Sequence, residues 1–306
     1  MPNHITNLLT FSGKTKDIEK LRKAIRPDTD SETAEEAEEG GQIIDFNKII
    51  PMPKSLNITS GTTADYGLAV YLFQKQKNAS KLLEILSYPW AKSEGITTPE
   101  AMAKYLIDKG SANLEEGEKA FDNQIMYGHK DWYSWAVDKW GTKWNAYSQS
   151  EDGLEKIAFD TAWSTPEPVI RKLSEMFPTV IITLRYADED FGHNCGELTF
   201  LKGHMIDHNI PDGASMEAYI IASDVKGCEL EDFVDRFAET DEENSAATFI
   251  EVMFNKFPKD EVVEAIINHE HTSLIFLITL KKELLSLECY ELVGQVESSI
   301  KEKENK

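Results

Sequence analysis

Three aspartates occupy positions from which they could serve metal-dependent chemistry. Asp160 lies in a segment with strand character, and Asp188 and Asp190 belong to an acidic turn that follows another such segment. Hard cations such as Mg²⁺ bind several carboxylate oxygens, so these residues are candidates for a Mg-dependent enzyme. The competing interpretation, an acidic turn with a strand-end cap, is the one we favour. We therefore expect neither a bound metal nor a cofactor.

A thiol and an imidazole also lie close together in the sequence. His193 and Cys195 are two positions apart, and residues with that spacing share one face of a strand. Nothing in the sequence indicates a thiol of lowered pKa, so we expect a buried structural cysteine rather than a nucleophile. The P-loop, nucleophile-elbow and zinc-protease motifs are missing from the sequence, which favours a non-enzymatic protein. Two further pairs of histidines are expected to be surface or capping residues: His204 with His208, and His269 with His271.

Aromatic residues suggest a second kind of site. Trp144, Asn145 and Tyr147 could stack on a nucleotide and bond to it, as aromatic residues on the open sheet of RNA-binding domains do. The basic residues that accompany such aromatics on the third strand of those domains are missing here, and aromatics more often fill a core or an interface. Trp163 is expected to face the core. A nucleotide-like ligand in a pocket between sheet and helices remains an alternative function.

The largest signal is the negative charge. The chain has 54 acidic and 32 basic residues among 306, a formal net charge of −22, which argues against ordinary DNA binding. Residues 211–272 contain sixteen acidic and four basic residues, a net charge of −12, on segments whose apolar residues keep helical spacing. Such a surface either keeps the protein soluble or recognises a partner protein with a basic surface. Six acidic residues are the candidate contacts: Glu231, Asp232, Asp235, Asp241, Glu242 and Glu243. The Glu-rich stretch 28–41 is expected to be a solvated loop.

The elements that must position these residues follow from the hydrophobic pattern. Strands are predicted at Ile5–Phe11, Ile43–Pro51, Trp144–Ser148, Lys156–Trp163, Val180–Tyr186 and Gly196–Leu201. Helices are predicted at Thr15–Ile25, after Thr165, throughout 62–140 and 211–272, and as one long helix from Ser273 to Ile300. The order predicts an α+β fold with a ferredoxin-like split βαβ antiparallel sheet and a helical insertion. We assign residues 1–60 and 141–210 to the sheet domain, 61–140 to the insertion, and 211–306 to an acidic helical domain.

Five parts of the sequence stand out as motifs: Met1–Asn7 (MPNHITN), Asp45–Pro51 (DFNKIIP), Trp140–Ala146 (WGTKWNA), Phe159–Ser164 (FDTAWS), and Tyr186–Asp190 (YADED) with Asn194–Gly196 (NCG). Together they resemble the YubB-like ferredoxin-domain family of plasmid- and phage-encoded proteins. The resemblance covers about residues 1–205. It implies the ferredoxin-like fold and an origin in a mobile element, and it brings no catalytic residues.

These observations lead to one functional expectation. The protein is expected to be a non-enzymatic phage or mobile-element accessory protein in the cytoplasm of a bacterial host. Through its acidic surface it would bind and inhibit a host protein, such as a nucleic-acid-handling or antiviral defence factor. No signal peptide and no membrane-spanning stretch is evident, so no membrane contact is expected. A homo-oligomer is left open.

Overall fold

The computed structural model describes residues 3–27 and 42–304. Within that part of the chain, six strands form one antiparallel sheet in the order β2-β3-β1-β4-β5-β6. The strands are β1 (His4–Ser12), β2 (Tyr147–Asp152), β3 (Lys156–Ala162), β4 (Ile181–Asp188), β5 (Cys195–Leu201) and β6 (His204–Asn209). Strand β1 lies between β3 and β4, and it pairs antiparallel with both.

Helices make up most of the rest of the described chain. They are α1 (Thr15–Ile25), α2 (Thr62–Gln76), α3 (Ser80–Leu86), α4 (Pro89–Ser93), α5 (Pro99–Asp108), α6 (Leu114–Tyr127), α7 (Trp132–Lys139), α8 (Glu167–Met176), α9 (Met216–Lys226), α10 (Leu230–Phe237), α11 (Glu243–Lys256), α12 (Lys259–Asn268), α13 (Leu274–Ser286) and α14 (Tyr290–Glu304).

The elements β1-α1-β2-β3-α8-β4 form the predicted split βαβ arrangement. Strand β3 separates β1 from β2, so the two βαβ units interleave, and β4 lies on the other side of β1. Helices α2–α7 interrupt the first unit between α1 and β2, and β5 and β6 extend the sheet beyond β4. The α+β class, the ferredoxin-like sheet and the helical insertion are therefore confirmed.

One face of the sheet is covered by α1 and α8. Alternate residues of β1, including Ile5 and Leu9, are fully buried there, as period-two alternation requires of a sheet with helices on that side. Helix α1 contributes Ile18, Leu21 and Ile25, which recur at helical spacing and are all fully buried. This layer forms the first hydrophobic core.

The opposite face is covered only in part, by α9. Ala187 of β4 and Cys195 of β5 are buried against the α9 side, where Ala218 and Ala222 are also fully buried. Small residues on both elements let the helix approach the sheet closely. Helices α10–α14 pack behind α9 and complete the second hydrophobic core. Toward β3 this face is more open, since Thr6 of β1 and Ala158 and Asp160 of β3 are only half-buried.

The insertion has a small core of its own, built from α2, α3, α4 and α5 around residues such as Val70 and Met102. Helices α2 and α6 pack with their backbones almost in contact at two glycines. A Cβ at Gly67 would lie 1.8 Å from the backbone oxygen of Asn113, and one at Gly117 would lie 2.2 Å from the backbone of Gly67. Only glycine allows this crossing.

The predicted strand at Ile43–Pro51 is wrong. Its apolar residues are buried in the first core, but the segment is irregular and contains a short 3₁₀ helix at Phe46–Lys48. The Asp45 carboxylate accepts a bond from the Asn47 amide and starts that turn. The Gln149 side-chain oxygen accepts hydrogen bonds from the backbone amides of Ile43 and Ile44, at 2.8 and 2.7 Å. These side-chain bonds replace the bonds that a partner strand would provide.

One other prediction needs correction, and one strand was not predicted. The long C-terminal helix is two helices, α13 and α14, because the chain reverses at Leu287–Cys289, where Glu288 has a φ of +58°. Strand β6, which contains His204 and His208, was not predicted. The predicted Glu-rich loop 28–41 lies outside the described residues. The structure has no helix, among the residues that it describes, of the length and apolarity needed to span a membrane.

Candidate functional site

Side chains from three parts of the chain meet at the surface where β1 begins and β3 ends. We call this group the aromatic cluster: Tyr133, Lys143, Trp144, Tyr147 and Trp163. The Lys143 Nζ lies 4.7 Å from the ring centroids of both Trp144 and Trp163, and 6.0 Å from that of Tyr133. Trp144 and Trp163 are 37% and 43% exposed. The cluster thus holds an ammonium group between aromatic rings at the protein surface.

The local sequence explains how this arrangement forms. Asp131 caps α7 by accepting a bond from the Ser134 amide at 3.0 Å, and α7 carries Tyr133. After α7, the Thr142 hydroxyl donates to the backbone oxygen of Ala162 at 2.7 Å. This bond fixes the segment with Lys143 and Trp144 beside the end of β3, from which Trp163 projects.

Trp163 has an unusual backbone conformation. Its φ is +75°, in the left-handed region that bulky side chains avoid, at a cost on the order of 1–3 kcal/mol. Hydrogen bonds on both sides maintain it. The Trp163 amide donates to the backbone oxygen of Asn3 at 2.9 Å, and the Thr161 hydroxyl donates to that of Ser164 at 2.9 Å. The surrounding structure therefore over-determines a strained turn that keeps an indole ring exposed.

A buried amide lies under this turn. Asn7 of β1 is fully buried, and its Nδ2 donates to the Thr161 hydroxyl at 2.8 Å and to the backbone oxygen of Ile5 at 2.9 Å. Its Oδ1 accepts from the Thr165 hydroxyl at 2.6 Å. Because a buried polar group costs free energy unless it is bonded, this network fixes the turn at Trp163 to the central strand.

Negative charge lies next to the aromatic cluster. The Tyr147 hydroxyl is 2.7 Å from Nδ1 of His4, and its ring is 6.2 Å from that of Trp144. Burial and then the carboxylates of Asp160 and Glu189 raise the pKa of Tyr147 to about 12. Two carboxylates therefore act on this side of the cluster, and they favour a neutral or cationic neighbour over an anion.

The three candidate metal ligands do not come together. Asp160 lies on β3 opposite Tyr147, and Asp190 is exposed in the turn after β4. Asp188 is buried and organises that turn, because it accepts bonds from the Asn194 side chain at 2.8 Å and from the Asp190 amide at 3.1 Å. Among the residues that the structure describes, no three His, Cys, Asp or Glu side chains are grouped so that they could hold a metal ion. Of the three aspartates, Asp188 thus has the contacts of a residue that organises a turn.

The remaining candidates for chemistry, Cys195 and the paired histidines, lie where they have contacts within the fold or are exposed on a strand. Cys195 is buried, its Sγ donates to the backbone oxygen of Ala218 at 3.3 Å, and burial raises the pKa of its thiol, which disfavours the thiolate that a nucleophile needs. His204 and His208 lie on the exposed strand β6. His269 follows the last turn of α12 and lies 3.4 Å from Asp235.

The predicted trio Trp144, Asn145 and Tyr147 is divided by the structure. Trp144 and Tyr147 belong to the aromatic cluster. Asn145 points into the protein, where its Nδ2 donates to Asp45 at 2.7 Å and its Oδ1 accepts from the Phe46 amide at 2.9 Å. Sequence reasoning missed Lys143 and Tyr133 and wrongly placed Trp163 in the core, because strand alternation does not anticipate a left-handed residue at the strand end. The sequence feature that could have indicated this cluster is the motif WGTKWNA, in which a lysine lies between two tryptophans.

A groove lies between the sheet and the C-terminal end of α9. It has a volume of about 250 Å³ and is lined by Leu8 and Ala158 of the open sheet face and by Asp224–Gly227. Ser150, Glu151, Asp152 and Lys156 complete the lining. The groove thus combines a small apolar floor with charges of both signs.

The acidic helical part has a one-sided distribution of charge. All sixteen acidic side chains of residues 211–272 are exposed, whereas Lys226, Lys256 and Lys259 are half-buried. The Lys256 Nζ, for example, is bound by Asp224 at 3.0 Å and by the Ser223 hydroxyl at 2.8 Å. The lysine stems pack against the protein while the carboxylates face solvent, so the outer surface is more negative than the composition alone indicates.

Five of the six predicted acidic contacts lie at helix N-termini, whereas Asp235 lies in the last turn of α10. Glu231, Asp232 and Asp235 are on α10, and Asp232 also forms a capping box with Glu229. Asp241, Glu242 and Glu243 lead into α11, which Glu242 precedes as N-cap residue. Helix dipoles favour carboxylates at such positions, so part of this acidity stabilises the helices. All six are exposed, and Asp235 and Glu243 lie near His269 and Lys282.

Comparison with known proteins agrees with the sheet. The topology defines an α+β protein with a ferredoxin-like domain. Residues 143–232 match the family model described as the ferredoxin-like domain in Api92-like protein, a range that runs from Lys143 into the first turn of α10. Among solved structures, a crystal structure of protein Api92 from Yersinia pseudotuberculosis is similar, with 11% identity, a TM-score of 0.33, and coverage of 69% of this chain and 99% of that one. So low a TM-score carries no argument. No curated protein matches.

Proposed function

We propose that this is a non-enzymatic binding protein that captures a partner with a basic surface through its acidic surface, defined as the exposed carboxylates of residues 211–272. The observation that carries the proposal is the one-sided charge distribution. Sixteen carboxylates face solvent on a folded helical unit, and the described lysines of that unit are half-buried. A rigid array of like charge steers a complementary partner and raises its association rate.

A protein partner fits this surface better than nucleic acid does. Phosphate backbones are bound by Lys and Arg, and a surface with a net charge of −12 over 62 residues repels them. The same distribution can compete with nucleic acid for a protein that binds it. The mobile-element origin implied by the resemblance to YubB-like proteins suggests a host factor of that kind, such as an antiviral defence protein, in the bacterial cytoplasm. Inhibition of that factor is part of the proposal.

The test uses a triple variant of the acidic surface, Glu231→Gln with Asp235→Asn and Asp241→Asn. It spares Asp232, which forms the capping box of α10 with Glu229, and Glu242, the N-cap residue of α11. The matched control removes three exposed carboxylates elsewhere in the chain, Glu19→Gln with Glu94→Gln and Asp122→Asn. Both variants change the net charge equally, so only the location of the charge differs.

The partner is first isolated with the tagged wild-type chain from the bacterial host and identified, and its affinity and association rate are then measured by surface plasmon resonance. We expect the acidic-surface variant to bind about tenfold more weakly than wild type, through a slower association rate, and the control to stay within about twofold. Wild-type affinity is expected to fall steeply between about 50 mM and about 500 mM salt. Equal losses in both variants, or binding that salt does not weaken, would remove the acidic surface from the function.

The groove beside α9 supports a second candidate, a small nucleotide-like ligand between the sheet and the helical part. Its volume of about 250 Å³ is just below the usual range for ligand sites, about 300–1,000 Å³. Lys156 and Lys226 could bind a phosphate group, whereas the carboxylates of Glu151, Asp152 and Asp224 would repel it. A rise in melting temperature with added nucleotides, lost in Lys226→Ala, is the expected outcome for this candidate. An unchanged melting temperature would reject it.

A further inference from the structure

The aromatic cluster provides a set of contacts of defined chemistry that the acidic surface does not use. A cation lying within about 6 Å of an aromatic ring face is attracted by the ring's quadrupole. The Lys143 ammonium meets this condition at three rings, two of them tryptophan, the strongest partner. The cluster is therefore built as a cation site, and Lys143 occupies it.

The rings are held at the surface, where another molecule can reach them. Aromatic residues that serve only to pack a core are buried, but Trp144 and Trp163 each expose more than a third of their surface. Trp163 is also held in a strained left-handed conformation by bonds from Thr161 and to Asn3. Strain of this kind persists where the surrounding structure imposes it, and such residues concentrate at binding sites.

The charges around the cluster determine the sign of its ligand. Asp160 and Glu189 lie close enough to Tyr147 to act on its hydroxyl, and Tyr147 contacts Trp144. The chain as a whole has a net charge of −22. An anion such as a nucleotide phosphate would find one lysine there, Lys143, among these carboxylates, whereas a cation would find both the rings and the carboxylates favourable.

We propose that the aromatic cluster is a binding site for an organic cation of the quaternary or alkylated ammonium class, with Lys143 as its internal occupant in the free protein. The flexible four-carbon stem of lysine allows the ammonium to leave the rings for water. A quaternary ammonium gains more from the same rings because it is weakly hydrated and keeps its charge when it enters them. This site is distinct from the acidic surface, and neither proposal depends on the other.

The experiment uses choline as the probe and 3,3-dimethylbutan-1-ol as its neutral isostere. Binding is followed by NMR through the indole N–H signals of Trp144 and Trp163, each assigned with its Trp→Phe variant. Choline is expected to shift both signals in a saturable way, and the isostere to shift neither. The Lys143→Ala variant is expected to bind choline at least about threefold more tightly, because it loses both the competing occupant and a repelling charge.

Two further variants complete the test. Lys139→Ala removes an exposed lysine from nearby α7 that pairs with Asp138 rather than with the cluster, and it is expected to change choline affinity by less than about twofold. Trp163→Ala is expected to weaken choline binding at least about fivefold while circular dichroism shows a retained fold. Should Trp163→Ala fail to fold, Trp163→Gly suits the same backbone and removes the same ring.

Several results would overturn the proposal. Equal shifts with choline and with its neutral isostere would show that the rings bind apolar groups without regard to charge. Unchanged or weaker choline binding in Lys143→Ala would show that Lys143 does not occupy the site. Shifts of the same indoles by adenosine monophosphate, lost in Lys143→Ala and not produced by choline, would instead show a nucleotide site.

Discussion

The strained turn at Trp163 makes a prediction whose sign is opposite to the ordinary one. Trp163→Gly and Trp163→Ala remove the same indole ring, so the lost contacts with Lys143 and Tyr133 cancel when the two variants are compared. What remains is the backbone. At most positions Ala is more stable than Gly, because Gly has more conformational entropy to lose on folding. At a φ of +75° a Cβ is penalised and Gly is not.

The magnitude follows from these two terms. A residue with a Cβ in the left-handed region costs roughly 1–2 kcal/mol. The entropic advantage of Ala over Gly is roughly 0.4–1 kcal/mol. We therefore expect Trp163→Gly to be more stable than Trp163→Ala by about 0.8 kcal/mol, the difference between the midpoints of the two ranges. The adjacent cluster residue Trp144 has similar exposure and a backbone outside the left-handed region, so Trp144→Ala is expected to be at least as stable as Trp144→Gly.

The assay is urea unfolding of the four variants, followed by far-ultraviolet circular dichroism. The free energies of unfolding are compared only between variants with equal denaturant slopes, which indicates that the unfolding reaction is the same. Trp163→Ala as stable as Trp163→Gly, or more so, would refute the reasoning that this turn is strained. Gly more stable than Ala at both positions would show that the preference is not specific to the conformation at Trp163.

Three further predictions concern buried groups. Asn7→Ala is expected to lower the free energy of unfolding by about 1–3 kcal/mol, because the hydroxyls of Thr161 and Thr165 lose their partner. The control Thr10→Ala, at an exposed position of the same strand, should change the free energy of unfolding by less than about 0.5 kcal/mol, and equal effects of the two variants would contradict the role of the network. Because the pKa of Tyr147 is raised, the folded state keeps the phenol proton to a higher pH than the unfolded state does, so the stabilisation from Tyr147 is complete below about pH 10 and is lost as the pH rises to about 12. Unfolding measured as a function of pH should show this loss of stability, and Tyr147→Phe should reduce it. The Cys195 thiol, buried and with a raised pKa, should react with a thiol reagent only after unfolding, and rapid labelling of Cys195 in the native protein would contradict its placement against α9.

Part of the aromatic cluster was visible in the sequence and part was not. The sequence indicates Trp144 and Tyr147 as candidates for stacking on a nucleotide, and both are in the cluster. Strict alternation along β3 predicts that Trp163 faces the core, but the observed burial alternates only through Thr161. The alternation ends at a left-handed turn, and Asn7, more than 150 residues away in the chain, fixes that turn by its bonds to Thr161 and Thr165.

The segment at 43–51 shows a similar limit. Its run of isoleucines around Phe46 correctly indicates burial, since Ile43, Ile44 and Phe46 are all in the first core. Burial does not require a strand, however, when the backbone amides find other partners. The Gln149 side chain supplies one for Ile43 and Ile44, and Asn145 supplies one for Phe46. The sequence alone does not show that these amides lie within reach.

The sequence by itself determined the class of fold, the helical insertion and the existence of acidic segments with buried apolar faces. These properties follow from hydrophobic periodicity, capping residues and charge, which act over a few neighbouring residues. Only the tertiary structure decided which side chains meet. It placed Lys143 between Trp144 and Trp163, turned Asn145 inward, and separated Asp160 from Asp188. Such contacts depend on strand register and on hydrogen bonds between residues far apart in the chain, and no local pattern encodes them.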